Sequence, residues 1–124
     1  MDTMMRDTVW VEEVQNWNET RDNLNYNKRL EADMLLEELQ EYVDAAIEGD
    51  IVAEADALAD ILVVATGALY KLCDGDAYKF DDIMLAVTAA NNTKSDTKNS
   101  AGKITKPKDF KGPEDMIEVI LNDG

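Results

Sequence analysis

Two short stretches of the chain gather carboxylates in a way that could do chemistry. Glu37, Glu38 and Glu41 lie in one, Asp56 and Asp60 in the other, and no Lys or Arg interrupts either. Glu37 and Glu41 are four residues apart, Glu38 and Glu41 three, and Asp56 and Asp60 four. On helices, such spacings put each group on one face. Clustered carboxylates repel one another, and a buried unpaired one either costs several kcal/mol or takes up a proton. A divalent cation resolves both difficulties. A donor set of oxygens alone, without nitrogen or sulfur, selects Mg²⁺, or else Mn²⁺, over zinc.

Taken alone, Glu-Glu-x-x-Glu is ordinary decoration of a solvated helix. Asp60 alters that reading, because it is the only charged residue between Ala57 and Tyr70. An Asp in such surroundings either bonds to a backbone or polar side-chain group or serves as a ligand.

The elements that must position these groups read as helices. Trp10, Val14 and Trp17 share a face of a short helix over Val9 to Glu19, and the Asn- and Asp-rich Arg21 to Asn27 reads as a loop. A long helix is expected from about Lys28 to Glu48. Its apolar face would be Leu30, Met34, Leu35, Leu39, Tyr42, Val43, Ala46 and Ile47. Gly49 suits a left-handed helix stop and Asp50 the N-cap of the next helix. That next helix, about Ile51 to Cys73, is apolar all round near Asp60 and is expected to be central and buried. If the two fold as an antiparallel hairpin at Gly49, Glu38 lies eleven residues before the turn and Asp60 eleven after it. Up to five carboxylates would then meet midway along a bundle, a known way of building metal sites from facing helices.

Asp74-Gly75-Asp76 reads as a second turn. Phe80, Ile83, Met84 and Val87 mark a fourth amphipathic helix ending near Asn91. Six of the twelve basic residues then fall between Lys94 and Lys111, against only Asp96 and Asp109. This basic segment reads as a loop or tail lying over something. A short final helix runs through Leu121, with Pro113 at its first turn. The expected fold is all-α: a four-helix-bundle-like core of antiparallel helices over about 28–94, a basic C-terminal loop over about 94–112 and a short last helix, in one domain of 124 residues.

Composition excludes several function classes. A net charge of −15 argues against nucleic-acid binding through a basic surface. With no histidine, imidazole bases, catalytic triads and His-ligated zinc are ruled out. The single cysteine, Cys73, rules out an internal disulfide and a Cys₄ site, and its apolar neighbours suggest a core thiol. No signal peptide or membrane span is visible, since the apolar run Ile61 to Tyr70 is too short to cross a bilayer. A cytoplasmic location with neither membrane nor nucleic-acid partner is expected. Asp74-Gly75-Asp76 with Asp81-Asp82 hints at a calcium loop, but the sixth-position glycine and twelfth-position Glu are missing, so a turn followed by helix N-terminal acids is the better reading.

Leu36-Glu37-Glu38-Leu39-Gln40-Glu41 followed by Ala55-Asp56-Ala57-Leu58-Ala59-Asp60-Ile61-Leu62 resembles the two metal motifs of the MazG-like all-α nucleoside triphosphate pyrophosphohydrolases. The nearest branch is the phosphoribosyl-ATP pyrophosphohydrolase-like one common in phages, whose apolar run carries a glycine matched by Gly67. Downstream, Asn91-Asn92-Thr93-Lys94 and Gly102-Lys103-Ile104-Thr105-Lys106-Pro107 resemble that branch's Asn-x-x-Lys and Gly-Lys-x-x-Lys-Pro. The resemblance covers roughly residues 28–113.

It implies Glu38, Glu41 and Asp60 as metal ligands and Glu37 as a second-metal or water-orienting ligand, and the absence of histidine makes Glu37 the candidate base. It implies Asn91, Lys94, Lys103 and Lys106 as phosphate contacts, and a homodimer or homotetramer. The reaction implied is metal-dependent hydrolysis of a nucleoside triphosphate to monophosphate and pyrophosphate. One departure stands out: many members carry Glu three residues before the last Asp, where this chain has Ala57, and Asp56 is the candidate substitute. Trp10, Trp17 and Tyr70 could stack on a base, though core packing is the expectation for each. Two rival readings are an acidic DNA mimic and an inactive interaction bundle.

Overall fold

The computed structural model describes residues 9–123. They form five α-helices: α1 (Val9–Thr20), α2 (Lys28–Glu48), α3 (Ile51–Leu72), α4 (Ala77–Asn91) and α5 (Glu114–Asn122). The fold is all-α and built from packed helices, and among the described residues the only β-type pairing is an isolated bridge between Lys98 and Ile104. The chain divides into two compact units, one ending at Asp76 and the other beginning at Ala77.

The first unit is built on the α2–α3 hairpin, against which α1 packs through α3. Each end of the hairpin is written in local chemistry. Asn27 caps α2 by accepting from the Leu30 amide at 3.1 Å, and Asp50 caps α3 by accepting from the Ala53 amide at 3.1 Å. Gly49 between them takes φ +73°, the left-handed conformation that closes α2. A two-residue connection leaves no alternative to antiparallel neighbours.

The seam between the helices differs from the expected one. Leu30, Leu39, Val43 and Ile47, assigned to the inner face of α2, are exposed, Ile47 to 79 %. The residues of α2 that are buried or half-buried are Glu31, Met34, Leu35, Glu38, Tyr42 and Ala45. This face is rotated from the most apolar one and carries two carboxylates. Likewise α3 is not buried all round: Ala57, Thr66, Gly67, Tyr70 and Lys71 are buried, whereas Leu58, Leu62 and Val63 are exposed. The reason is geometric, since α1 and α2 cover only part of its circumference within one chain.

At the far end of the hairpin, Cys73 is a buried thiol, as expected. The buried Tyr70 hydroxyl donates a hydrogen bond to Glu19 of α1. Burial, and then that carboxylate, push the phenol up to about 12.

The second unit packs α4 with α5, and Phe80 and Ile83 are its buried apolar residues. The basic segment between the helices closes on itself. The Ser95 amide donates to the Thr105 carbonyl at 3.0 Å and the Thr105 amide to the Thr97 carbonyl at 3.0 Å. Asn99 Oδ1 accepts from the amides of Ala101 and Lys103, and Gly102 takes φ +84° to complete the turn. Lys94 and Lys106 share the ring of Phe110, at 5.9 and 5.1 Å from its centroid. Pro113 stands at the N-cap of α5, one position before its first helical residue.

Candidate active site

The hairpin register brings Glu38 and Glu41 of α2 to Asp60 of α3, with one carboxylate oxygen of each lying within 4.8 Å of the others. Glu38 and Asp60 are half-buried and Glu41 is exposed, so the triad opens to solvent along one side. Glu38 Oε2 is buried and has no hydrogen-bond partner. Its carboxyl is pushed above the usual range, first by burial, then by the adjoining Glu41 carboxyl and by the negative charges of Glu41, Asp60 and Glu37. An orphaned buried oxygen among converging carboxylates fits a divalent cation: the donors are hard, three are within reach of one ion, and a cation would relieve their repulsion.

Of the five carboxylates singled out from sequence, three make up this group. Glu37 is exposed and acts on Glu38 through its charge. Asp56 is exposed and outside the triad, and Ala57 is buried at 4 % exposure. Asn91, Lys94, Lys103 and Lys106 all belong to the second unit, where Lys94 is half-buried and the other three are exposed.

One turn along the hairpin from the triad is a cleft of about 470 Å³. Trp10, Glu13, Val14, Trp17 and Asn18 of α1 line one side, and Met34 of α2 with Val63, Val64, Gly67 and Lys71 of α3 line the other. Trp10 and Trp17 are 46 % and 52 % exposed, so the expectation that they pack in the core does not hold; Tyr70 alone of the three aromatics does so. The helices touch where Gly67 lets α1 approach, since a Cβ there would stand 3.3 Å from Asn18 Nδ2. Asn18 is held in turn by donating to the Val14 carbonyl at 2.9 Å and accepting from Asn23 Nδ2 at 2.8 Å. Close contact at Asn18 leaves the flanking tryptophans standing off from α3, and the gap between is the cleft.

A buried ion pair closes the list, and sequence reading passed it over. Lys71 Nζ lies 2.6 Å from Glu31 Oε1 across the α2–α3 seam, with both side chains almost fully buried. The available signal was the lone Lys71 at the end of an apolar helix, which needs a buried counter-charge.

Against known proteins, the profile of the phosphoribosyl-ATP pyrophosphohydrolase family matches residues 8–72. The chain belongs to that family. The matched span takes in α1, both carboxylate stretches and the whole cleft, and stops short of the lysine-bearing segment. Family membership brings with it the activity of a nucleotide pyrophosphohydrolase. Such MazG-like enzymes are typically metal-dependent, and the acidic cluster that this requires is present. No curated protein and no solved structure matches the chain. No described helix is long and apolar enough to cross a membrane.

Proposed function

We propose that this family member hydrolyses a nucleoside triphosphate to its monophosphate and pyrophosphate, using Mg²⁺, or Mn²⁺ in its place, at Glu38, Glu41 and Asp60. The observation that carries this reading is the orphaned Glu38 Oε2 inside a converging carboxylate triad, one turn from an aromatic-flanked cleft. The cleft takes the base, between Trp10 and Trp17, and the triad meets the polyphosphate. When bound, the cation would supply charge neutralisation to the phosphate oxygens and acidify a water molecule. The chain's own groups then have defined tasks. Glu38, Glu41 and Asp60 would hold the ion. Glu37 orients the attacking water and accepts its proton while the bridge between the α- and β-phosphates breaks. Asp56 is the candidate for a further ligand, through a water or a second ion. Asn91, Lys94, Lys103 and Lys106 are candidates for phosphate contact by residue type alone, the lysines as point charges.

The exposed apolar side chains Leu36, Ile47, Ile51, Val52, Leu58 and Leu62 support association of this chain with itself, as a homodimer or homotetramer. An acidic-mimic role leaves both the triad and the cleft without a task. The test is pyrophosphate release from a panel of ribo- and deoxyribonucleoside triphosphates, with Mg²⁺ and with a chelator. Release that needs the cation supports the reading. A well-folded chain that releases none from any of them contradicts it.

A further inference from the structure

The cleft that we read as the base subsite carries one charge that its own walls leave unanswered. Its charged lining residues are Glu13 and Lys71. Lys71 Nζ lies 2.6 Å from Glu31 Oε1 with both side chains almost fully buried, so its charge is met within the α2–α3 seam. Glu13 is exposed and has no counter-charge among the described residues. Its helix, α1, bears three glutamates, Glu12, Glu13 and Glu19, and no basic residue.

Glu13 stands three residues from Trp10 and four from Trp17, so a carboxylate and two indoles share one face of α1 and line the cleft together. Of the aromatic faces, indole attracts a cation most strongly. Trp17 already does so on its far side, where the Arg21 guanidinium stands 4.4 Å from the ring centroid and outside the cleft lining.

A flat ring entering this cleft takes water away from Glu13. A neutral base leaves that charge desolvated and unopposed, which a positively charged base does not. The cation best suited to such walls is flat and delocalised, because it is weakly hydrated and stacks on aromatic faces, whereas an ammonium holds its water tightly. A purine alkylated on a ring nitrogen is a cation of this kind, and its remaining N–H groups can donate to the carboxylate.

Resting on the reading of the cleft as the base subsite, we propose that Glu13, with Trp10 and Trp17, selects nucleotides whose purine carries a positive charge from N-alkylation over the same nucleotides unmodified. The unmodified purines remain ligands, held less tightly.

The chain's two tryptophans both line this cleft, so their fluorescence reports its occupancy directly. The full chain is titrated, with a chelator present and at mildly acid pH, with N7-methyl-GMP against GMP and N1-methyl-AMP against AMP. Under these conditions both alkylated bases are cations, and each pair differs by one methyl group and one charge. Burial of the methyl group alone accounts for a preference of about fourfold. Each alkylated nucleotide is expected to bind at least about 20-fold tighter than its parent, the excess coming from the charge. Glu13→Gln, a change on an exposed helix face, should narrow the gap to about fourfold and leave GMP and AMP bound no more weakly than by wild type. Equal affinity within both pairs overturns the inference, whether or not the variant folds. So does a folded Glu13→Gln chain that keeps the full preference. The two readings fail separately. Preference for the alkylated bases without pyrophosphate release in Mg²⁺ sinks only the hydrolytic one, and release without that preference sinks only this one. No fluorescence change with any of the four nucleotides sinks the base-subsite reading and this inference together.

Discussion

Glu38 on α2 and Asp60 on α3 present carboxylate oxygens within 4.8 Å of each other, across the seam of a hairpin whose turn lies midway between them in the chain. Two like charges at that separation, one of them with a buried oxygen that nothing bonds, oppose folding unless a cation or a proton intervenes. Glu38→Ala and Asp60→Ala should therefore each lower pyrophosphate release by more than about 100-fold, the loss that removal of even an outer-shell partner can reach. Neither should unfold the chain. Thermal melts without metal should show Glu38→Gln at least as stable as wild type, because the repulsion goes with the charge.

The acidity of Glu38 gives a pH dependence with a defined sign. Its carboxyl titrates above the ordinary value of 4.5 in the folded chain. The stability this contributes is present below that ordinary value and is lost as pH rises through the raised one. The metal-free protein should thus lose melting temperature as pH climbs through this range. Mg²⁺ should do the opposite, since it competes with the proton for the same oxygens. Its stabilising effect should be absent in acid and grow toward neutrality. Melts at stepped pH with Mg²⁺ and with chelator check both slopes.

Lys71→Met alone leaves Glu31 charged and buried without a partner. Loss of about 3–5 kcal/mol is expected in denaturant unfolding. Adding Glu31→Gln should recover most of it, a coupling that a double-mutant cycle measures.

Gly67 poses a different trade. At an ordinary helix interior, Gly→Ala stabilises by about 1 kcal/mol. Here the new methyl would meet Asn18 Nδ2 at 3.3 Å, and Asn18 is tied to Val14 and Asn23. Gly67→Ala should forfeit the usual gain, melt at or below wild type, and raise KM more than it lowers kcat as α1 is pushed off α3.

Much of the site was legible because its register is simple arithmetic about Gly49. Local caps at Asn27 and Asp50 fix where each helix starts, and a short turn fixes the pairing of Glu38 with Asp60. The seam itself was legible only in part, at Met34, Leu35 and Tyr42. Hydrophobic periodicity assigned Leu30, Leu39, Val43 and Ile47 inward, but the true contact face runs through Glu31, Glu38 and Ala45. A pattern that ranks positions by apolarity turns ionisable residues outward, and this seam holds two of them, one at the triad and one against Lys71. Trp10 and Trp17 were misplaced for a related reason. Large aromatics usually fill cores, yet the contact that sets the α1–α3 distance is made by Asn18 against Gly67, and nothing local in the sequence marks it. What the single chain leaves uncovered on α3 was also hidden, because an all-apolar helix reads as buried whether its cover comes from the same chain or another.

The central claim is that Glu38, Glu41 and Asp60 together hold a divalent cation. A crystal structure of the full chain grown in manganese, with anomalous scattering recorded, tests it most directly. The account predicts a manganese peak at the triad with an oxygen from each of the three residues at bonding distance. Manganese absent from the triad, or Asp60 turned away with its carboxylate bonded elsewhere, would contradict it.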